Sequence, residues 1–330
     1  MTEPVWISEQ DVVDLMSLPE AIDALERGLV LEARGEAQNM VKTHVAWGHN
    51  NLHAIGAAYP GAGFIGTKTW AHTAAGACPL LILFDAETGQ LKAIIEAFAL
   101  GQMRTGGISG VATKWLADEH ADVLALIGTG KQALAQLAAV HAVRRLKQVR
   151  VFSPRADSRR EFIDKARTRF DIELIEAASV EAALADAPIV TTVTRATQAF
   201  VNAADVVQGA HINAVGAITG ERQELAQDVF VRCSRATVDD PAAARKLSSE
   251  FIRAFGAADG WSGVASLSTV VATERGRQPG DDITVFKAMG MGVSDVALGI
   301  ELFHRAAARG RGLDIKQPQR CNPRLTTGVN

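Results

Sequence analysis

Six consecutive residues, 128–133, have the types and spacing of a turn that holds a phosphate group. They read GTGKQA and follow the apolar run VLALI. In such a turn the first glycine permits a sharp bend, the second lets a pyrophosphate approach the backbone, and a small residue at Ala133 lets the next helix pack closely. Backbone N–H groups and the positive end of that helix then bind the anion. The residues predicted to contact a dinucleotide here are Gly128, Thr129, Gly130, Lys131 and Gln132.

Lys131 raises a second interpretation, the phosphate-binding loop of a nucleoside triphosphatase. That loop requires a glycine five positions before Gly130 and a Ser or Thr directly after the lysine. The sequence has Ala125 and Gln132 at these two positions, so the triphosphatase interpretation is excluded. Tight packing of a strand against a helix, with no ligand, remains the alternative.

The choice between NAD and NADP depends on the end of the second strand. An Asp or Glu there accepts the ribose hydroxyls of NAD and repels a 2′-phosphate. The segment QVRVFSPRADSRR has Ser153 at this position, with Arg155, Arg159 and Arg160 close behind. Guanidinium groups are good donors to phosphate. The pattern therefore favours NADP(H), with NAD(H) as the second possibility; a solvated start of a helix is the alternative role for these arginines.

Strand and helix patterns alternate from Asp122 onward. The expected strands are VLALIG, QVRVFS, IELIEA, PIVTTVT, AHINAVGA and RATVDD, with helices from about Ser158 and Ser179 among those between them. Strands that are apolar throughout and alternate with helices are typical of a parallel sheet covered on both faces. The predicted fold class is α/β, with a Rossmann-type doubly wound parallel sheet.

The first 120 residues follow a different pattern. One amphipathic helix is expected over 7–35, followed by the strand-like runs THVAWG, LHAIGAAY, GFIGTKTW and LLILFDAETGQLKAIIEA. Asp85 and Gly89 supply a hairpin turn, which favours antiparallel pairing. The segment LGQMRTGGISGVATKWLADEHA is expected to form a helix with Arg104 at its start. This part is predicted to be a separate α+β domain.

Composition excludes several classes of protein. The 330 residues exceed the usual size of one domain, and 34 Lys and Arg against 37 Asp and Glu give a net charge of −3 without a basic cluster. We therefore expect no nucleic-acid partner. The sequence also lacks a long apolar run, so no membrane association is expected, and the acidic first residues predict a cytoplasmic protein. Three widely spaced cysteines indicate neither a disulfide framework nor a metal site.

Seven blocks, in order, resemble the ornithine cyclodeaminase and mu-crystallin family. They are GTKTW at 66–70, LLILFDAETGQLKAIIEA at 80–97, MRTGGISGVATKWLA at 103–117, LIGTGKQA at 126–133, HINAVGAITGERQEL at 211–225, VDD at 238–240 and ITVFKAMGMGVSDVA at 283–297. The resemblance implies a substrate-binding and dimerisation domain over 1–117, to which 300–330 return, and a dinucleotide-binding domain over 118–299. It also implies a homodimer.

The resemblance assigns roles to several side chains. Lys68 matches a lysine beside the substrate carboxylate and reacting nitrogen, and Arg104 matches an arginine that clasps a carboxylate or phosphate. Lys42 lies near the position of another carboxylate-binding basic residue, and His53 could face the substrate. The positions implied to contact the cofactor are Thr105, Thr194, Val215, Gly216 and Ser294. Lys42 could instead be a solvated lysine on a strand, and His53 could be a histidine of the core. Asp295 begins the last helix, and a role in the site and an ordinary place as an acidic residue in the first turn fit it equally well.

Three departures from the family pattern bear on the chemistry. Ile218 stands where the cyclodeaminases and archaeal alanine dehydrogenases have an Asp that can exchange a proton, and Glu221 is a possible replacement. Gly106 and Gly107 replace two alanines, which suggests extra room near Arg104 or a shifted helix start. A third is the segment LHAIGAAYPG, and nearby His72 would share a strand face with Lys68 only if that strand continues.

These features predict an NAD(P)H-dependent reductase of a small α-imino acid or cyclic ketimine carboxylate. Arg104 and Lys68 are expected to hold the substrate carboxylate, and Lys68 to keep the nitrogen protonated. The enzymatic alternatives are an ornithine-type cyclodeaminase and an alanine-type amino-acid dehydrogenase. A non-catalytic NADP-dependent binder of small molecules is the alternative of another class.

Overall fold

The computed structural model describes residues 3–257 and 259–325. Its first strands and helices are β1 Val5–Ile7, α1 Glu9–Leu15, α2 Leu18–Ala33, β2 Gln38–Asn39, β3 Thr43–Trp47, β4 Asn50–Tyr59, β5 Phe64–Thr73, β6 Gly76–Asp85, β7 Leu91–Glu96 and α3 Phe98–Leu116. Within the described ranges, no helix is both long enough and apolar enough to cross a membrane.

The remaining elements form the second half of the chain. They are β8 Val123–Ile127, α4 Ala133–Val143, β9 Gln148–Phe152, α5 Ala156–Arg167, β10 Glu173–Glu176, α6 Val180–Leu184, β11 Ile189–Thr192, β12 His211–Ala214, α7 Gln227–Val231, β13 Cys233–Val238, α8 Pro241–Leu247, α9 Ser249–Phe255, β14 Val264–Ser266, α10 Leu267–Thr273, β15 Ile283–Lys287, α11 Gly292–Arg309 and β16 Leu313–Asp314.

The first sheet has the order β16-β1-β7-β6-β5-β4-β2, with β3 pairing to β4. Its pairs are antiparallel except for β1 with β7. The helices α3 and α11 pack on this sheet, α2 packs on these two helices, and all of them share one apolar core with the sheet. Although α11 follows the second sheet in the chain, it returns to the first sheet, and β16 then pairs with β1. The end of the returning segment, residues 326–330, lies outside the described residues.

The single helix expected over 7–35 is instead two helices. Ser17 lies between them and forms a capping box with Glu20, and Pro19 occupies the first turn of α2. Ser8 caps α1 in the same way with Asp11. A proline has no N–H to donate and is tolerated in the first turn of a helix, so these residues start a new helix rather than continue the old one.

The helix α3 begins before the position that the sequence suggested. It starts at Phe98, where the backbone N–H groups of Phe98 and Ala99 donate to the Glu9 carboxylate. Arg104 therefore lies in the second turn rather than at the helix start. The positive end of the helix dipole acts mainly on the first turn, so it gives no reason to expect an anion beside Arg104.

Gly106 and Gly107 also have a different role from the one expected. A Cβ on Gly106 would lie 2.6 Å from the carbonyl oxygen of Ala135 in α4, and a Cβ on Gly107 would lie 2.6 Å from Leu25 in α2. The two glycines therefore let three helices pack closely in the middle of α3. They do not mark a helix start. The space beside each glycine is filled by a neighbouring helix, so it does not provide extra room near Arg104.

The second sheet is entirely parallel, with the order β10-β9-β8-β11-β12-β15-β13-β14. The chain runs outward from β8 through β9 to β10, then returns to place β11 on the other side of β8. Separate apolar cores cover the two faces of the sheet. In a sheet of this kind a crevice opens between the carboxyl ends of the strands where the winding direction reverses, here between β8 and β11.

Candidate functional site

The glycine-rich turn lies at that crevice and fits a pyrophosphate. Gly128 has φ +113°, and a Cβ there would lie 2.7 Å from the carbonyl oxygen of Val193, just after β11. A Cβ on Gly130 would meet nothing within 4 Å, so the backbone is accessible at this position. Gln132 is the residue before α4, and Ala133 is fully buried in the strand–helix contact. The turn therefore offers an open approach and the positive end of a helix to an anion.

A buried carboxylate joins the next two loops of the crevice. Glu224 accepts hydrogen bonds from the backbone N–H and hydroxyl of Thr194 at 2.7 and 2.8 Å, and from the N–H groups of Gly216 and Ala217 at 2.9 and 3.2 Å. Gly216 is required by this geometry, because a Cβ there would lie 2.1 Å from the carbonyl oxygen of Thr194. Glu224 was not predicted from the sequence, since nothing in the local pattern distinguishes it from a surface glutamate.

The end of β9 carries the residues that were expected to select the cofactor. Ser153 directly follows the strand and is buried, whereas Arg155 is exposed at the start of α5. Arg159 is engaged elsewhere: its guanidinium lies 2.9 Å from the Glu176 carboxylate and donates to the Ser153 carbonyl oxygen at 2.5 Å. Of these two arginines, Arg155 is the one whose guanidinium is available to a ligand.

Lys68, Arg104 and Asp295 meet in a buried cluster contributed by β5, α3 and α11. The Lys68 ammonium donates to Asp295 Oδ1, and Arg104 Nε lies 3.5 Å from the same oxygen. The other carboxylate oxygen, Asp295 Oδ2, is buried without a hydrogen-bond partner among the described residues. Two cations thus face one anion, and the cluster retains positive charge for an acidic ligand.

Burial and the neighbouring charges change the proton affinity of the two lysines. Removal from water lowers the pKa of Lys68 to about 8, and repulsion from Arg104 and Lys42 acts in the same direction, whereas Asp295 opposes it. Burial also lowers the pKa of Lys42, as does the nearby Arg104 guanidinium. Lys68 is therefore an ammonium that can release its proton near neutral pH.

The loop after β15 supports the Arg104 side chain. Gly290 has φ +81°, and a Cβ there would lie 2.9 Å from an Arg104 guanidinium nitrogen. Asp239, at the end of β13, holds this loop by accepting the N–H groups of Met289 and Gly290 at 2.7 and 2.8 Å. Asn39 accepts the N–H of Gly292 at 2.7 Å at the start of α11. The cluster therefore lies where the carboxyl edge of the second sheet meets the first sheet.

The other candidate residues lie around this junction with varied exposure. Ser294 is buried next to Asp295 in the first turn of α11, and Val215 is buried directly after β12. The Thr105 hydroxyl donates to the Gly101 carbonyl oxygen at 2.8 Å, while Lys131 is exposed on the glycine-rich turn.

The positions that depart from the family pattern differ in location and exposure. Ile218 is half-buried in the loop after β12, and Glu221 is exposed on the same loop. The Glu221 carboxylate is therefore a solvent-exposed group. The strand β5 continues to Thr73, so Lys68, Trp70 and His72 share one face. On the paired strand β4, His53 lies opposite Trp70.

Comparisons with known proteins agree with this arrangement. A Delta(1)-pyrroline-2-carboxylate reductase of Bacillus cereus is 32% identical over 243 residues, which are 72% of this chain and 74% of that protein. The structure of the Thermococcus litoralis Delta(1)-pyrroline-2-carboxylate reductase in complex with NADH and L-proline superposes with a TM-score of 0.86 at 25% identity, covering 94% of this chain and 100% of that one.

An archaeal alanine dehydrogenase dimer with bound NAD also has a TM-score of 0.86, at 28% identity, covering 96% of this chain and 99% of that one. A sequence profile described as the ornithine cyclodeaminase/mu-crystallin family matches residues 2–309. The profile match covers every strand except β16 and includes the glycine-rich turn, Lys68, Arg104 and Asp295. The chain belongs to the ornithine cyclodeaminase/mu-crystallin family.

Proposed function

We propose that this protein is an NAD(P)H-dependent reductase of a small α-imino acid or cyclic ketimine carboxylate. The observation that carries the proposal is the buried cluster of Lys68, Arg104 and Asp295 beside the dinucleotide crevice. An acidic substrate with a C=N group needs a cation for its carboxylate and a proton donor for its nitrogen, and the cluster provides both. The names of the Bacillus and Thermococcus relatives support the same reaction class.

The side chains of the cluster have separate tasks in this reaction. Arg104, together with Lys42, binds the substrate carboxylate and fixes the plane of the imine. Reduction breaks the C=N π bond, and its electron pair takes a proton at nitrogen; Lys68 is placed to supply that proton. Asp295 holds the Lys68 ammonium in position and favours its charged form.

The dinucleotide supplies the hydride for the imine carbon when it is bound. Gly128, Thr129 and Gly130 would hold its pyrophosphate, and Lys131 and Gln132 lie at the same turn. Thr194, Val215 and Gly216, with Ser294 and Thr105, would line the nicotinamide end. We propose NADP(H) in preference to NAD(H), because Ser153 provides no carboxylate against a 2′-phosphate and Arg155 is free to bind one.

The domains divide the work in this proposal. Residues 1–117, with 300–330 returning, form the substrate-binding and dimerisation domain, and residues 118–299 form the dinucleotide-binding domain. We propose a homodimer, since the β3–β4 hairpin exposes Val45, Trp47 and Leu52, and the archaeal alanine dehydrogenase is a dimer.

A screen of imines tests the reaction. Glyoxylate, pyruvate and oxaloacetate, each with ammonia or methylamine, and pyrroline- and piperideine-2-carboxylate are supplied with NADPH or NADH while the nicotinamide absorbance is followed. We expect oxidation with at least one imine, and a loss of about a hundredfold or more in kcat for Lys68→Met, as for removal of a general acid. Lys92→Met is the matched control, because Lys92 pairs with Asp85 far from the cluster.

Three results would contradict parts of this proposal. A folded protein that binds NADPH but oxidises it with none of the imines would be a binder. Rapid release of ammonia from ornithine with catalytic NAD would identify a cyclodeaminase, and Ile218 would then be no obstacle. A higher kcat/KM with NADH than with NADPH would overturn the roles of Ser153 and Arg155.

A further inference from the structure

A row of aromatic rings continues the active-site face beyond Lys68. The Lys68 ammonium lies 5.2 Å from the centre of the Trp70 ring, which stacks on His53 with 4.7 Å between ring centres. His53 stacks in turn on His44 of β3 at 5.6 Å. His72 follows Trp70 on the same face of β5. The row Lys68-Trp70-His53-His44 therefore leads from the reacting nitrogen out along the sheet.

This row is a polar surface without acidic groups. The strands β3, β4 and β5 contain no Asp or Glu, whereas they carry Lys68 and three histidines, and Lys42 directly precedes β3. His53 Nδ1 is buried without a hydrogen-bond partner among the described residues. This nitrogen is closed to solvent, so a ligand can reach the His53 ring only at Nε2, which is not among the buried unpaired side-chain atoms of the described residues.

We propose that His53, with His44 and His72, binds a second acid group of the substrate, so that the preferred substrate is an α-imino dicarboxylate. This inference rests on the proposed function. With the first carboxylate at Arg104 and the imine at Lys68, the substrate side chain lies along the Trp70 ring, and the distal carboxylate meets the histidines. Trp70 gives the connecting methylene groups an apolar surface, and the imidazoles donate hydrogen bonds to the acid.

The charges around His53 give the binding a pH dependence. Burial lowers the pKa of His53, and the positive charge of Lys42 acts in the same direction, as do His44 and His72. The groups that face it are Lys42, directly before β3, His44 of β3, and Lys68 and His72 of β5; Arg104 and Asp295 lie at the inner end of the row. A distal carboxylate stabilises the protonated imidazole, so its binding strengthens as the pH falls through the pKa of His53 in the complex.

The test compares two substrates that differ in the distal acid. The imines of oxaloacetate and of pyruvate, formed in excess ammonia, are reduced by the wild type and by His53→Phe, which keeps a ring for stacking. We expect a higher kcat/KM for the dicarboxylate in the wild type, and a loss in His53→Phe that is at least tenfold greater for the dicarboxylate than for the monocarboxylate, as for one charge-assisted hydrogen bond. His120→Phe, an exposed histidine near β8, is the control, and its ratio should equal that of the wild type.

A binding measurement separates this inference from the proposed function. Aspartate and alanine are titrated into the protein with oxidised cofactor, and aspartate should bind more tightly to the wild type than to His53→Phe or the surface variant His72→Asn. Equal kcat/KM values for the two imines, with equal binding of the two amino acids, would overturn the distal acid site while leaving imine reduction intact. Absence of all turnover, with selective binding of aspartate, would overturn imine reduction and keep the site.

Discussion

At the scale of single residues, the pairing of Lys68 with Asp295 is central to the proposed chemistry. Both side chains are buried, and the pKa of Lys68 is a balance in which burial lowers it to about 8 while Asp295 raises it. An ammonium with an ordinary pKa would release its proton too reluctantly for acid catalysis near neutrality, and one without a counter-ion would lose its charge. Asp295 therefore keeps Lys68 protonated but reactive.

The pH dependence of turnover follows from this balance. In the proposed mechanism Lys68 acts in its protonated form, so kcat for imine reduction should be constant below its pKa and fall as the pH rises through about 8. Asp295→Asn removes the opposing charge and should move this descending limb to lower pH by about one unit or more, since one pKa unit corresponds to about 1.4 kcal/mol of charge interaction. Steady-state kcat from pH 6 to 10, about two units either side of that pKa, checks both.

A control variant and a contrary outcome test this interpretation. Asp314→Asn, at an exposed position on β16, should leave the limb at the wild-type pH. A limb in Asp295→Asn that coincides with that of the wild type would show that Asp295 does not set the charge of Lys68.

At the scale of secondary-structure elements, close helix packing fixes Arg104 relative to the crevice. The middle of α3 lies against α4 through Gly106 and against α2 through Gly107. Because α4 begins at the glycine-rich turn, the same contact that supports Arg104 also supports the dinucleotide site. Glu224 has a similar function for the loops after β11 and β12, which it joins through backbone N–H groups.

Gly106→Ala tests whether this glycine serves packing. The added methyl group would lie 2.6 Å from the Ala135 carbonyl oxygen, so we expect a loss of about 1–3 kcal/mol in the free energy of unfolding. Chemical denaturation measures the loss. Gly61→Ala, where an added Cβ meets nothing within 4 Å, is the matched control and should be close to the wild type. A stable Gly106→Ala protein with a changed KM for the imine would instead favour extra room near the substrate.

The sequence pattern predicted the elements better than their boundaries. Alternation of apolar strands and helices identified the parallel sheet, because a strand buried on both faces leaves a continuous apolar run. The break between α1 and α2 was missed, since an amphipathic pattern continues across Ser17 although the capping box starts a new helix there. The start of α3 was missed because its cap is Glu9, a carboxylate about 90 residues earlier in the chain, and no local pattern contains it.

The same limit applies to the site. Lys68 and Arg104 were predicted from family blocks, whereas Asp295 fitted a site role and an ordinary place in the first turn of a helix equally well. Its contact with Lys68 joins residues separated by 227 positions, and only the return of α11 to the first sheet brings them together. Among the described residues, the buried Nδ1 of His53 has no hydrogen-bond partner. This follows from side-chain packing, which cannot be predicted from the periodicity of a strand.

At the scale of the whole molecule, two sheets contribute opposite sides of one site. The first sheet provides Lys68 and the row of rings, and the second provides the crevice. The helices α3 and α11 cross between them, so the two sides are held by backbone contacts as well as by side chains. A Cβ on Gly292 would lie 1.9 Å from the Gly56 carbonyl oxygen, which shows how closely α11 approaches β4.

The exposed face of the β3–β4 hairpin yields a prediction about assembly. Val45 is opposite Leu52, and Trp47 follows on the same face, with 57%, 44% and 47% of these side chains exposed. We expect the wild type to have about twice the chain mass of 35.0 kDa by light scattering after gel filtration, and Val45→Lys with Leu52→Lys to shift it toward the monomer. Val13→Lys, on exposed α1, is the control; a wild-type monomer would contradict the proposed dimer.

The distance along the chain between Lys68 and Asp295 has a consequence for how the enzyme matures. A pair separated by 227 residues is a highly non-local contact, and contacts of this kind slow folding because a long loop must close before they form. During synthesis the lysine emerges from the ribosome long before its counter-ion, while the glycine-rich turn can already close around its strand. In the proposed mechanism, a nascent or truncated chain that ends before residue 295 would therefore have the glycine-rich turn and Lys68 without the counter-ion of that lysine, and imine reduction would require the final helix.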